Sequence, residues 1–180
     1  MKTYVALLRG INVGGKNALP MKELVAILES LGARRVKTYI QSGNAVFAGN
    51  DKITPRFSNQ IKETIKKRLG FEPFVLLLEL EDMERALQQN PFPEAEADPQ
   101  TLHAGFLAAA PKHPDLKALE SFRKASERFR LVGRVFYLHA PEGVGRSKLA
   151  ANAERLLGEP MTDRNWRTVR TIWKMAQELT

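Results

Sequence analysis

Cysteine is absent from the 180 residues, which removes disulfides, thiolate metal sites and thiol nucleophiles together and leaves nothing that needs an oxidising compartment. No apolar run approaches the roughly 18 residues that would cross a bilayer. The opening stretch Met1-Lys2-Thr3-Tyr4-Val5-Ala6-Leu7-Leu8-Arg9 is interrupted by charge too early for a secretory signal and reads as a first strand. The expected location is therefore the cytoplasm, away from membranes. Histidine is sparse, and His103, His113 and His139 lie apart without metal-ligand spacing, so neither a metal nor a cofactor is expected. An RNA-recognition octamer of alternating aromatics is missing as well.

What is present is globular in kind. Apolar residues make up 43% and charged residues 27% of the chain, near the averages for folded domains, and a chain of this size can bury about 70% of its unfolded surface. The net charge of +8 and pI of 9.9 draw polyanions, from phosphates to nucleic acid, to the surface. A uniformly basic, solvated exterior would give the same totals.

Residues 3–9 are rich in strand formers and run into the glycine-bearing segment RGINVGGKN (9–17), after which Pro20 is suited to open a helix at its first position. Leu24, Ile27, Leu28 and Leu31 recur at helical spacing, and Gly32 provides a stop. Strands are expected near 35–40 and 44–49, then a helix from about 55 to 69 on Phe57, Ile61, Ile65 and Leu69, then a doubly buried strand over 74–80. That order, βαββαβ, is a ferredoxin-like unit. Prolines 91, 93 and 99 mark Asn90–Gln100 as a linker. Beyond it the same order recurs: a strand over 101–108, a helix over 114–121, a hairpin of 128–132 and 134–139 through Gly133, a helix over 147–157 and a short strand near 160–163. A last helix over 165–178 places Trp166, Val169, Ile172, Trp173 and Ala176 on one arc, with Arg164, Arg167, Arg170 and Lys174 beside it. The expected class is α+β, with duplicated ferredoxin-like halves, residues 1–90 and 91–180, each a two-layer sandwich with an antiparallel sheet.

Four polar segments are candidates for a site. GINVGGKN (10–17) nearly satisfies the phosphate-loop pattern, but Asn17 stands where a magnesium-binding hydroxyl is required and Pro20 delays the helix. What remains is a nest in which Gly14 and Gly15 turn backbone N–H groups toward an anion, with Arg9, Asn12 and Lys16 as nearby donors; an ordinary turn that uses the glycines for positive φ fits equally. Gln41-Ser42-Gly43-Asn44 offers donors and acceptors between two strands, and is also ordinary hairpin chemistry. Gly143-Val144-Gly145-Arg146-Ser147-Lys148 gathers free N–H groups, a hydroxyl and two cations at a helix start, unless Ser147 is only the cap. Arg164-Asn165-Trp166-Arg167-Thr168 opens the last helix behind an Asp163 or Thr162 cap, its arginines either facing an anion or simply solvated.

Taken together, LLRGINVGGKN (7–17), YIQSGNAVF (39–47), NPF (90–92), GVGRSKL (143–149) and RNWRTV (164–169) resemble the signature set of the domain of unknown function 1697 family, in the same order across nearly the whole chain. The resemblance implies paired ferredoxin-like halves and a bacterial setting. It supplies no activity and so no catalytic residue.

A small phosphate- or carboxylate-bearing ligand, held by loops that converge from both halves, accounts for most of these features. Nucleic acid is the alternative, using the charge and the sheet aromatics Tyr39, Phe47, Phe106 and Tyr137. An enzyme with a site assembled from these loops is another, although Ser42 and Ser147 lack an evident base and His139 beside Arg146 is the nearest approach to one. An acidic protein partner is the fourth.

Overall fold

The computed structural model describes residues 1–50 and 56–180. Along the chain run β1 (Lys2–Arg9), α1 (Met21–Ser30), β2 (Arg34–Tyr39), β3 (Asn44–Gly49), α2 (Arg56–Leu69), β4 (Phe74–Glu79) and α3 (Leu80–Gln88). Then follow β5 (Leu102–Leu107), α4 (Leu116–Phe122), β6 (Arg128–Val132), β7 (Val135–His139), α5 (Lys148–Leu157), β8 (Met161–Asn165) and α6 (Trp166–Gln177). Short 3₁₀ turns lie at Pro93–Ala97 and Val144–Arg146. Two four-stranded sheets result, ordered β2-β3-β1-β4 and β6-β7-β5-β8, with every pairing antiparallel. Each has the strand order of a ferredoxin-like βαββαβ unit, so the fold is a duplicated α+β sandwich.

Contacts group the chain into Met1–Glu84 with Thr171–Thr180, and Arg85–Arg170. In the first unit Tyr4, Ala6, Leu8 and Phe47 pack against Leu24, Ile27 and Leu28 of α1 and Phe57, Ile61 and Ile65 of α2. Val5, Leu7, Val46 and Leu78 on the alternate positions are buried too, which is why β1 reads as an unbroken apolar run instead of an alternating one. Helix α1 ends where the sequence put it. Gly32 takes φ 98° while its N–H and that of Ala33 donate to Glu29 and Leu28 carbonyls, a paired closure that glycine allows without Cβ strain. The C-terminal residues return to this unit: the Arg35 guanidinium donates to the Leu179 and Glu178 carbonyls at 2.7 and 3.1 Å, and Lys37 pairs with Glu178.

In the second unit Leu107, Phe136 and Leu138 pack with Leu119 of α4 and Leu149, Ala153 and Leu157 of α5. Tyr137 is buried, and its hydroxyl donates to the Ala86 carbonyl at 2.7 Å.

Several boundaries differ from the sequence reading. Helix α3 was not anticipated, because it starts directly on the end of β4 with no turn residue between, its first turn held by the Asp82 carboxylate accepting from Glu79 N–H. Pro20 is the residue before α1 and not its first helical member. Strand β8 extends through Arg164 and Asn165, so these close a strand instead of opening a helix. The start of the second helix near Pro55 lies outside the described residues. Among the described residues no helix is long and apolar enough to cross a membrane.

Candidate functional site

β1 and β2 both run antiparallel to β3, so their C-terminal ends emerge at the same end of the first sheet. This brings the 10–19 loop against the 40–43 turn. Leu8 N–H donates to the Gly43 carbonyl at 2.8 Å, and Asn12 binds both sides. The Asn12 Nδ2 donates to the Leu19 carbonyl at 2.9 Å and to the Gln41 carbonyl at 2.8 Å, while its Oδ1 accepts from Leu19 N–H at 2.8 Å. Both amide hydrogens are thus committed to the scaffold. Asn12 is a strut between loops, where the sequence reading had offered it as an anion donor. Asn17 acts similarly, its Nδ2 donating to the Gly10 carbonyl at 2.8 Å.

The tip between these struts is a two-residue turn. Lys16 N–H donates to the Val13 carbonyl at 3.0 Å, and Gly14 and Gly15 stand at φ 57° and 73°. Positive φ at both central residues is the mark of a type I′ turn, which explains the glycine pair. Among the described residues neither glycine donates its N–H, and the Lys16 side chain is exposed without a partner. Opposite, Asn44 is 1% exposed and donates to the Tyr39 carbonyl and to Ser42 Oγ, fixing the turn from beneath. Gln41 keeps its side chain in solvent. Arg9 lies 5.0 Å from the centre of the Phe74 ring, its register partner on β4.

In the second unit, β7 ends and β8 ends at one end of the sheet, since Leu102 pairs with His139 and His103 with Asn165. The segments 143–148 and 164–167 therefore leave the same end. Ser147 is the cap of α5, its Oγ accepting from Ala150 N–H at 3.0 Å. Gly145, Arg146 and Lys148 are exposed. A carboxylate already serves this loop: Glu142 accepts from Lys124 and from Ser126 Oγ, which hold its acid below the usual range, with Arg146 adding to the pull. Asn165 caps α6 by accepting from Thr168 N–H at 3.0 Å. Arg164 donates to the Asp163 carbonyl, and burial pulls its guanidinium down to about 10 against the opposing charge of Asp163. Arg167 donates through Nη1 and Nη2 to the Gln100 side-chain oxygen, at 3.1 and 3.0 Å, in the amide orientation that satisfies both groups.

Two histidine pairs escaped the sequence reading: His103 meets a partner remote in the chain, whereas His139 stands opposite Arg128 across the anticipated hairpin, a pairing that its register could have shown. His103 is buried between two acceptors, Asp163 Oδ2 at 2.8 Å from Nδ1 and the Gln100 carbonyl at 3.2 Å from Nε2. Burial opposes charging the ring, but the Asp163 carboxylate and the carbonyl outweigh it, and the pKa stands raised. With both ring nitrogens engaged, this pair is structural and not an available base. His139 Nδ1 accepts from Arg128, which also pairs with Glu94 and lies 4.6 Å over the Phe92 ring; burial and Arg128 depress its pKa. The NPF segment is accounted for by this corner, as Asn90 Oδ1 accepts from Phe92 N–H. Of the four aromatics offered for base stacking, Phe47, Phe106 and Tyr137 are buried. Among the described residues no group of three or more His, Asp or Glu side chains is placed to hold a metal ion.

A family model described as "Protein of unknown function (DUF1697)" matches residues 1–137. A solved structure described as conserved bacterial protein SP0830 from Streptococcus pneumoniae is similar at 28% identity and a TM-score of 0.68, over 97% of this chain and 98% of that one. None of the curated proteins compared matches. The family match takes in the interlocked segments 7–17 and 39–47 together with NPF, the likeness to the solved structure extends over the later segments, and the chain belongs to the DUF1697 family of proteins of unknown function.

Proposed function

We propose that the first unit binds a small phosphate- or carboxylate-bearing ligand on the 10–17 loop, with the Gly14 and Gly15 N–H groups and the Lys16 ammonium as its donors. One observation carries this reading. The loop's polar side chains Asn12 and Asn17 are committed to backbone carbonyls and hold it in shape, and its Asn12 and Lys16 N–H groups close it internally, while the Gly14 and Gly15 N–H groups have no acceptor among the described residues and the Lys16 ammonium is exposed. A loop rigid before binding loses little entropy when an anion arrives, and backbone N–H groups in positive-φ turns are suited to one. Asn12, Ser42 and Asn44 support the site and Gln41 lies at its rim. The 143–148 loop is the weaker candidate, since Glu142 already offsets its charge. No base or nucleophile stands on the 10–17 loop, so binding, not chemistry, is proposed.

The test is thermal unfolding at fixed ionic strength with added inorganic phosphate or acetate, which raises Tm if the folded state binds. The expected result is a rise in the native protein that is lost in Lys16→Gln and retained in Lys148→Gln. A rise that disappears in Lys148→Gln instead, or no rise at all, rejects this assignment.

A further inference from the structure

Five large hydrophobic residues are well exposed among the described residues: Met1, Val13, Ile40, Leu69 and Leu116. Met1 is terminal, Leu69 closes α2 and Leu116 opens α4, positions where isolated exposure is ordinary. Val13 and Ile40 are different. They sit on the two interlocked loops, each one residue from the 2.8 Å bond between Asn12 Nδ2 and the Gln41 carbonyl, and they are 69% and 50% exposed. Ile40 also has φ 48°. A β-branched residue in the left-handed region is a true outlier, and glycine or asparagine would occupy it with less strain. With half its surface in solvent, Ile40 has little packing to offset that strain, and strained exposed positions concentrate where ligands are clamped.

Building on the anion site above, we infer that its ligand is amphiphilic: an organic phosphate or carboxylate whose apolar portion, the size of a small aryl or acyl group, lies against Val13 and Ile40 while its anionic end meets Lys16 and the Gly14 and Gly15 N–H groups. The cation belongs to the same turn as Val13, as Lys16 N–H is bonded to the Val13 carbonyl at 3.0 Å. Two exposed side chains on loops joined by one hydrogen bond offer far less than the roughly 800 Å² that each partner of a stable protein complex contributes. A small molecule fits that scale.

Titration of phenyl phosphate and inorganic phosphate into the native protein and into Ile40→Gly, followed by calorimetry, tests this. Phenyl phosphate is expected to bind roughly tenfold more tightly than phosphate, and Ile40→Gly to erase that preference. The same variant should keep its affinity for phosphate and melt about 2–4 °C higher as the backbone strain is relieved. Equal affinity for the two anions, or a preference that survives in Ile40→Gly, overturns the amphiphile and leaves the anion site standing. Failure of both anions to bind overturns the two readings together.

Discussion

Gly43 and Gly15 are both left-handed, at φ 86° and 73°, yet substitution at the two should differ sharply. A Cβ on Gly43 would lie 2.7 Å from Leu8 Cβ and 2.8 Å from Ile11 Cδ1, whereas one on Gly15 meets nothing within 4 Å. Urea unfolding should therefore show Gly43→Ala destabilising by more than about 2 kcal/mol, and Gly15→Ala by about 1 kcal/mol from backbone strain alone. The two histidines shift stability in opposite senses. The raised pKa of His103 contributes stability that is fully present below its unfolded value of 6.5 and is lost as pH rises through the folded value. The depressed pKa of His139 contributes stability above 6.5 that is lost as pH falls through its folded value. Denaturation midpoints measured across this range should show His103→Gln flattening the alkaline limb and His139→Gln the acid limb.

Among the elements, the Ser147 cap was legible, because a cap is a contact between residues three apart, whereas the Asp163 or Thr162 cap expected for the last helix gives way to Asn165, the last residue of β8. Ser147 accepts from the N–H three positions on, as its residue type before a helical pattern implies, and Asp115, which the sequence reading placed inside the helix over 114–121, does the same for α4. Ser147→Ala should lower stability by about 1 kcal/mol while leaving the phosphate response unchanged, read from paired melts with and without phosphate. Helix α3 was not legible: nine residues following a strand without punctuation give too short a window for periodicity to declare itself. Nor was the irregularity in β2, where the register shifts between Arg34 and Lys37 and Arg35 takes φ 54°. That distortion aims the guanidinium at the carbonyls of residues 178 and 179, a target the local sequence does not reveal.

Across the whole molecule, the charge of +8 will attract any polyanion, and that attraction should be separable from the loop site. Binding of a short DNA strand is expected to fall steeply as salt rises from 50 to roughly 200 mM, as backbone contacts release counterions. In a fluorescence anisotropy titration, Lys16→Gln should shift the DNA curve no more than Lys148→Gln does. By itself the sequence determined the order of elements apart from α3, the repeated βαββαβ pattern, the glycine turns and the apolar faces, all properties of residues close in the chain. Periodicity says which face of an element is buried but not what lies across it. Only the tertiary structure decided that Asn12 would bridge to the carbonyl of Gln41, that His103 would meet Asp163, and that the last ten residues would complete the unit begun by the first eighty-four. Those outcomes follow from strand order: pairing β1 and β2 on either side of β3 carries their ends together, and no short window of sequence contains that pairing.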